Sequence, residues 1–169
     1  MTRSGKFIVA GVLSSVTLLI DRITKYYVID KLPVPNRVFV FRNNFFSIDL
    51  GLSINNKLAL SIPMPQIIII GLIIIILILV SLLLYREILK NNCWYSVGFA
   101  IIFGAAVSNL VDRFIYNGVI DFVQMNFFNI TGIIFNLADA FIIGGILIIL
   151  ISEFNNIKLK YENIHNNNT

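Results

Sequence analysis

The chain has 169 residues, 57% of them hydrophobic and 13% charged, with a mean hydropathy of +0.86. Soluble domains run at about 45–50% apolar and about 25% charged, so this composition belongs to an integral membrane protein with room for one compact bundle. The net charge of +4 is dispersed along the chain, which argues against a nucleic-acid partner.

The first apolar segment runs from Phe7 to about Ile29. Its uninterrupted apolar stretch stops at Ile20, short for a span and compatible with a signal-peptide core. No small-x-small cleavage site follows it. Asp21, Arg22, Thr24 and Lys25 come next, then Tyr26 to Ile29, and a helix continued that far reaches about 35 Å at about 1.5 Å per residue. Residues 30–66 alternate polar and apolar and hold all four prolines. Within them Val38–Phe41 and Phe45–Leu50 read as short strands of a small sheet on the membrane face. Residues 67–85 are almost pure Ile, Leu and Val and predict a lipid-facing span. Residues 94–113 predict a third span, whose Gly98, Ala100, Gly104, Ala105, Ala106 and Ser108 permit close helix packing. The aromatic connection 114–132 suits the membrane interface. A fourth span is expected over 133–151, followed by a polar tail, 153–169. The whole chain is expected to form one membrane-embedded domain.

Four spans put both termini on one side. Arg3, Lys6, Arg86, Lys90, Lys158 and Lys160 would then face the termini's side, against Lys31, Arg37, Arg42 and Lys57 opposite. The bias is slight, but Arg3 and Lys6 at the N-terminus favour cytoplasmic termini. Both long connections then fall on the outer face.

The single cysteine, Cys93, excludes an intrachain disulfide and a cysteine metal cluster. The single histidine, His165, lies in an Asn-rich tail, which removes His-Glu-x-x-His zinc chemistry and a Ser-His triad. Carboxylates remain as the acid–base groups at neutral pH, with no metal or other cofactor expected. Asp121 and Asp139 stand at the edges of membrane-crossing segments, where a charge costs about 2.5–3.5 kcal/mol by insertion scales and marks a protein interior or a wet cavity. Asn109 and Arg113 share a helix face, as do Asn136 and Asp139. Asp121 lies on the connection between those helices. The three elements can bring Asp121 and Asp139 across a water, with Asn109, Asn136 and Arg113 supplying hydrogen bonds. Two carboxylates a few ångströms apart favour a singly protonated pair, one base and one acid, which can split a peptide bond with water.

Plainer readings exist for each residue. Asp112 suits an ion pair with Arg113 or another cation. Asp21, Arg22 and Lys25 suit an interfacial salt bridge as well as substrate contact. Asn136 suits a helix cap. Asp121 and Asp139 would also serve as a proton relay in a small proton-coupled transporter or channel subunit. Against that, the polar residues cluster toward one face and no internal repeat is evident.

Four strings narrow these alternatives. Asp21-Arg22-Ile23-Thr24-Lys25, Gly104 to Arg113, Gly118-Val119-Ile120-Asp121-Phe122 and Phe135-Asn136-Leu137-Ala138-Asp139 resemble, in order, the blocks of the lipoprotein signal peptidases, or signal peptidase II. Ala105 and Ser108 replace glycines of the family's pattern. Its Asn-x-Gly-x-(Ala/Ser)-Phe block is represented by Asn55 to Leu60, with Lys57 for Gly and Leu60 for Phe. Asn55 is the site residue this string offers, and Asn56 the alternative. The resemblance implies an aspartyl dyad of Asp121 and Asp139, polar support from Asn109, Arg113 and Asn136, and a functionally sensitive Asp21. The fold it implies is an all-α membrane protein: four transmembrane helices with a small extracytoplasmic β-sheet and a short interfacial helix. The implied activity is cleavage of diacylglyceryl-modified prolipoproteins before the lipidated cysteine. The implied setting is the bacterial inner membrane, with a periplasmic active site, bilayer lipid around it and a monomeric enzyme.

Overall fold

In the computed structural model of the chain, residues 2–32, 37–43, 45–57, 62–90, 92–128 and 130–166 are described. Four long helices carry the apolar segments: α1 (Arg3–Lys31), α2 (Gln66–Leu89), α3 (Cys93–Tyr116) and α4 (Leu137–Asn166). Each contains a stretch long and apolar enough to cross a membrane. Thr2 caps α1, its hydroxyl accepting from the Gly5 N–H at 3.2 Å. The helix does not stop where hydrophobicity fails at Ile20. Asp21 and Lys25 pair one turn apart at 2.7 Å and both are fully buried, so their charges are compensated inside the bundle rather than in lipid. The polar tail beyond Glu153 continues α4 to Asn166.

α3 packs against each of the other three helices. Its small residues make this possible. A methyl group placed on Gly104 would lie 2.2 Å from the Ser14 carbonyl oxygen of α1. At the α3–α4 crossing Gly98 and Gly145 face each other, and a methyl on either would come within 2.8 Å of the other's carbonyl oxygen. Between helices in lipid, such contact surface replaces the hydrophobic driving force. Ser14 adds a hydrogen bond from its hydroxyl to the Ala100 carbonyl at 2.8 Å. α2 instead leaves most of its Ile and Leu side chains exposed, as a lipid-facing span would.

Four antiparallel strands form one sheet in the order β1 (Val38–Arg42), β2 (Phe46–Asn55), β3 (Val119–Phe127), β4 (Ile130–Phe135). The first two fall where alternation predicts them. The other two correct the reading of residues 114–136. The connection folds as a hairpin, and residues 133–135 are strand, so helix begins only at Leu137. Hydropathy merges Ile133 and Ile134 with the span behind them, whereas the β-branched run pairs with β3, Met125 opposite Ile133 and Val123 opposite Phe135. The expected short interfacial helix has no counterpart among the described residues. The sheet is fastened to α3 by a tight junction. Asn117 takes a left-handed conformation (φ 54°), and Gly118 lets the chain pass Asn55, whose carbonyl oxygen would lie 3.0 Å from any added methyl.

Candidate active site

The end of the bundle beneath the sheet gathers polar side chains from every element around it. Asp121 enters from β3, opposite Ser53 of β2, and Asn55 follows two residues on, opposite Val119. Asp121 is 3% exposed. Its two carboxylate oxygens accept one amide N–H each, from Asn136 at 2.7 Å and from Asn55 at 3.1 Å. Burial pushes the Asp121 carboxyl up to about 6, and the Asp139 charge pushes the same way; the two amides and the Lys25 charge oppose them.

Asp139 is held by the start of its own helix. Asn136 caps α4: its side-chain oxygen accepts from the Asp139 N–H at 3.0 Å, and the Asp139 carboxylate accepts from the Asn136 N–H at 3.3 Å. This reciprocal pair is a capping box with Asp in the third position. The other Asp139 oxygen accepts from the Asn109 amide at 3.0 Å. Asn136 therefore touches both aspartates, one through its side-chain N–H and one through its main chain. Capping and contact with the carboxylate pair are alternatives in the sequence, but here one residue makes both.

Behind the pair lies a buried ion network. Lys25 has no exposed surface, and all three of its N–H donors are used, on Asp21 at 2.7 Å, Asp112 at 2.7 Å and the Asn109 carbonyl at 2.8 Å. The last contact fixes the Asn109 amide so that its NH2 faces Asp139. Asp21 also accepts from Ser108 at 2.6 Å and from the Ala138 N–H at 2.8 Å, tying the first turn of α4 to α1. Asp112 pairs with Lys25 and Arg22, not with the adjacent Arg113, and accepts from the Ile120 N–H at 3.2 Å. Asp112 and Asp21 thus bind cations and peptide N–H groups and do not reach toward the pair.

Of the residues singled out from the sequence, Asp121, Asp139, Asn55, Asn109 and Asn136 meet directly through these bonds, and Asp21 supports them from one layer away. Asn55, not Asn56, is the residue of its string that reaches Asp121; residues 58–60 of that string lie outside the described residues. Arg113 departs from expectation. It is buried, but its guanidinium donates to the Gln66 side-chain oxygen and the Lys57 carbonyl, each at 3.1 Å, rather than to either aspartate. Its Nε–H has no partner among the described residues. Sequence reading missed Gln66, whose signal was a polar residue heading an otherwise apolar span. It also left open the central part of Lys25, signalled by its spacing of four from Asp21. Among the described residues no three His, Cys, Asp or Glu side chains are grouped to hold a metal ion.

Fold and site together define a class: a multi-pass membrane protein with two hydrogen-bonded carboxylates at one end of a four-helix bundle. The model of the family described as signal peptidase (SPase) II matches residues 13–155. The chain is 30% identical over 123 residues to the lipoprotein signal peptidase of Helicobacter pylori (strain ATCC 700392 / 26695), covering 68% of this chain and 72% of that one. It is also 30% identical over 155 residues to the lipoprotein signal peptidase of Pelagibacter ubique (strain HTCC1062), covering 90% and 92%. A solved chain described as a bacterial membrane enzyme superposes with a TM-score of 0.72 at 23% identity, over 90% of this chain and 91% of that chain. This chain belongs to the signal peptidase II family and is a membrane peptidase. These likenesses give the transporter alternative no support.

Proposed function

We propose that the chain cuts signal peptides from lipidated prolipoproteins with Asp121 and Asp139 as an acid–base pair. The observation that carries this reading is Asn136, which donates to both carboxylates at once and so fixes them side by side. Asp139 carries the negative charge: it stands in the first turn of α4, where the helix dipole favours an anion, and accepts from the Asn136 N–H and the Asn109 amide. Asp121 carries the shared proton.

Asp139 takes a proton from a water whose oxygen attacks the scissile carbonyl carbon. Asp121 gives its proton to the carbonyl oxygen, and a neutral gem-diol forms. On collapse Asp121 recovers a proton from one diol hydroxyl, while Asp139 passes its proton to the departing nitrogen. The C–N bond breaks and the pair returns to its starting state. No covalent intermediate and no metal enter this scheme. Asn55, Asn109 and Asn136 keep the two carboxylates oriented, Asp21 holds the α4 turn, and Arg113 holds Gln66 and the Lys57 carbonyl beside Asn55.

The scissile bond lies just before the diacylglyceryl-modified cysteine, whose acyl chains remain in the bilayer and hold the peptide at the height of the two aspartates. The setting is the bacterial inner membrane, with cytoplasmic termini, a periplasmic active site and a monomeric enzyme. The test is a matched pair of substrates. Purified protein in detergent should release the signal peptide from a diacylglyceryl-modified prolipoprotein and leave the same unmodified precursor uncut. Equal cleavage of both would refute the requirement for lipid.

A further inference from the structure

Gln66 is absorbed by none of the steps above, yet it touches the segment that follows Asn55 at the end of β2. It heads α2, half-buried, with both ends of its amide engaged. Its oxygen accepts from Arg113 at 3.1 Å, and its NH2 donates to the Asn56 carbonyl. Arg113 reaches the next carbonyl, that of Lys57, at 3.1 Å. The Asn56 carbonyl belongs to the same planar peptide group as the Lys57 N–H, so holding one orients the other. That N–H donates to the Asn55 side-chain oxygen at 3.0 Å. With its oxygen so engaged, the Asn55 amide presents NH2 to Asp121.

We propose that Gln66 is a positioning residue: with Arg113 it clamps the successive Asn56 and Lys57 carbonyls and thereby sets the face that Asn55 turns toward Asp121. This inference rests on the dyad reading of Asp121. It also explains how Asn55 is kept in place although Lys57 and Leu60 stand where the family pattern has Gly and Phe. Three hydrogen bonds and the Asn56–Lys57 peptide group link Gln66 to the carboxylate; the first two bonds lie at the exposed Asn56 and Lys57, and the last, from Asn55 to Asp121, is part-buried.

The Asn55 N–H favours ionised Asp121, as do Lys25 from α1 and Arg113 from α3; Asp139 from α4 opposes them, and Asp112 lies near through the Ile120 N–H. Freeing Asn55 raises the pH at which Asp121 gives up its proton. If Asp121 is the acid, the alkaline limb of kcat/KM moves upward in pH. Cleavage of a diacylglyceryl-modified prolipoprotein should be followed across pH for the parent, Gln66→Ala, Gln66→Glu, Asn55→Ala and the Asn55→Ala/Gln66→Ala double variant. Gln66→Glu is nearly isosteric and keeps an acceptor for Arg113, but cannot donate to Asn56. Both Gln66 variants should lose activity by about tenfold, the order of one hydrogen bond's worth of positioning. Both should shift the alkaline limb in the direction seen with Asn55→Ala, and the double variant should be no worse than Asn55→Ala alone. An unmoved limb in Gln66→Glu, or additive losses in the double variant, overturns the clamp. Activity in Asp121→Asn would instead overturn the dyad reading beneath it, so the two failures are told apart.

Discussion

A single asparagine holds two carboxylates here, and the proposed acid–base chemistry depends on their being unequal. Asp121 is lifted to about 6, mainly by burial and then by the Asp139 charge. The pair's macroscopic behaviour is shared, but the sign for Asp121 is clear. A carboxyl raised from its unfolded value near 4 contributes stability that is fully present below that value and lost as pH rises through about 6. Asp121→Asn, which cannot ionise, should therefore raise the thermal midpoint at pH 7 in detergent while abolishing cleavage; a lowered midpoint would mean that the carboxylate itself holds the site together. Lys25 makes the opposite case. Lys25→Met leaves Asp21 and Asp112 buried without their shared cation, and removing one partner from a buried pair costs about 3–5 kcal/mol. Denaturation should show a loss on that scale, and a near-neutral result would contradict a charged network. Asn109, Asp121, Asn136 and Asp139 were legible from the sequence as polar residues in apolar company set within family-like strings, and Asp21 through the string that it heads. Gln66 was not, because its partners are backbone carbonyls brought near by folding.

The helices depend on contacts that only small residues allow, and the glycines separate the essential from the incidental. A Cβ on Gly104 meets the backbone of Ser14, whereas one on Gly144 meets nothing within 4 Å. Gly104→Val should force α1 and α3 apart and cost about 1–3 kcal/mol, seen as a lower thermal midpoint, while Gly144→Ala should leave the midpoint unchanged. Equal effects at both positions would contradict the packing described. Spans and the first two strands were readable from hydropathy and alternation, which are local. The β3–β4 hairpin was not. Its Ile130–Phe135 run has the composition of both a strand and a membrane segment, and the choice is made by pairing with β3, a partner that no local window contains. The other edge of β3 pairs with β2 and places Asp121 beside Asn55, so the site's depth was hidden along with β3.

For the whole molecule, the sheet and both aspartates occupy the end of the bundle opposite the α2–α3 turn. Cys93, the first residue of α3 after that turn, is exposed and the chain's single cysteine. With cytoplasmic termini, Cys93 faces the cytoplasm. A membrane-impermeant thiol reagent should therefore leave it unlabelled in intact spheroplasts and label it after lysis. Labelling before lysis would invert the orientation and place the site on the wrong side for exported precursors. The direction of insertion was weakly written in the sequence, since basic residues are nearly balanced between the two sides; the position of the site relative to the turn follows from the fold.

The most direct test is a gel-shift assay of a diacylglyceryl-modified prolipoprotein with the purified parent, Asp121→Asn and Asp139→Asn, all shown to be monodisperse. The parent should release the signal peptide. Each variant should be slower by about a thousandfold or more, within reach of the loss of an acid or a base. Retained turnover in either variant would contradict a mechanism that needs both aspartates.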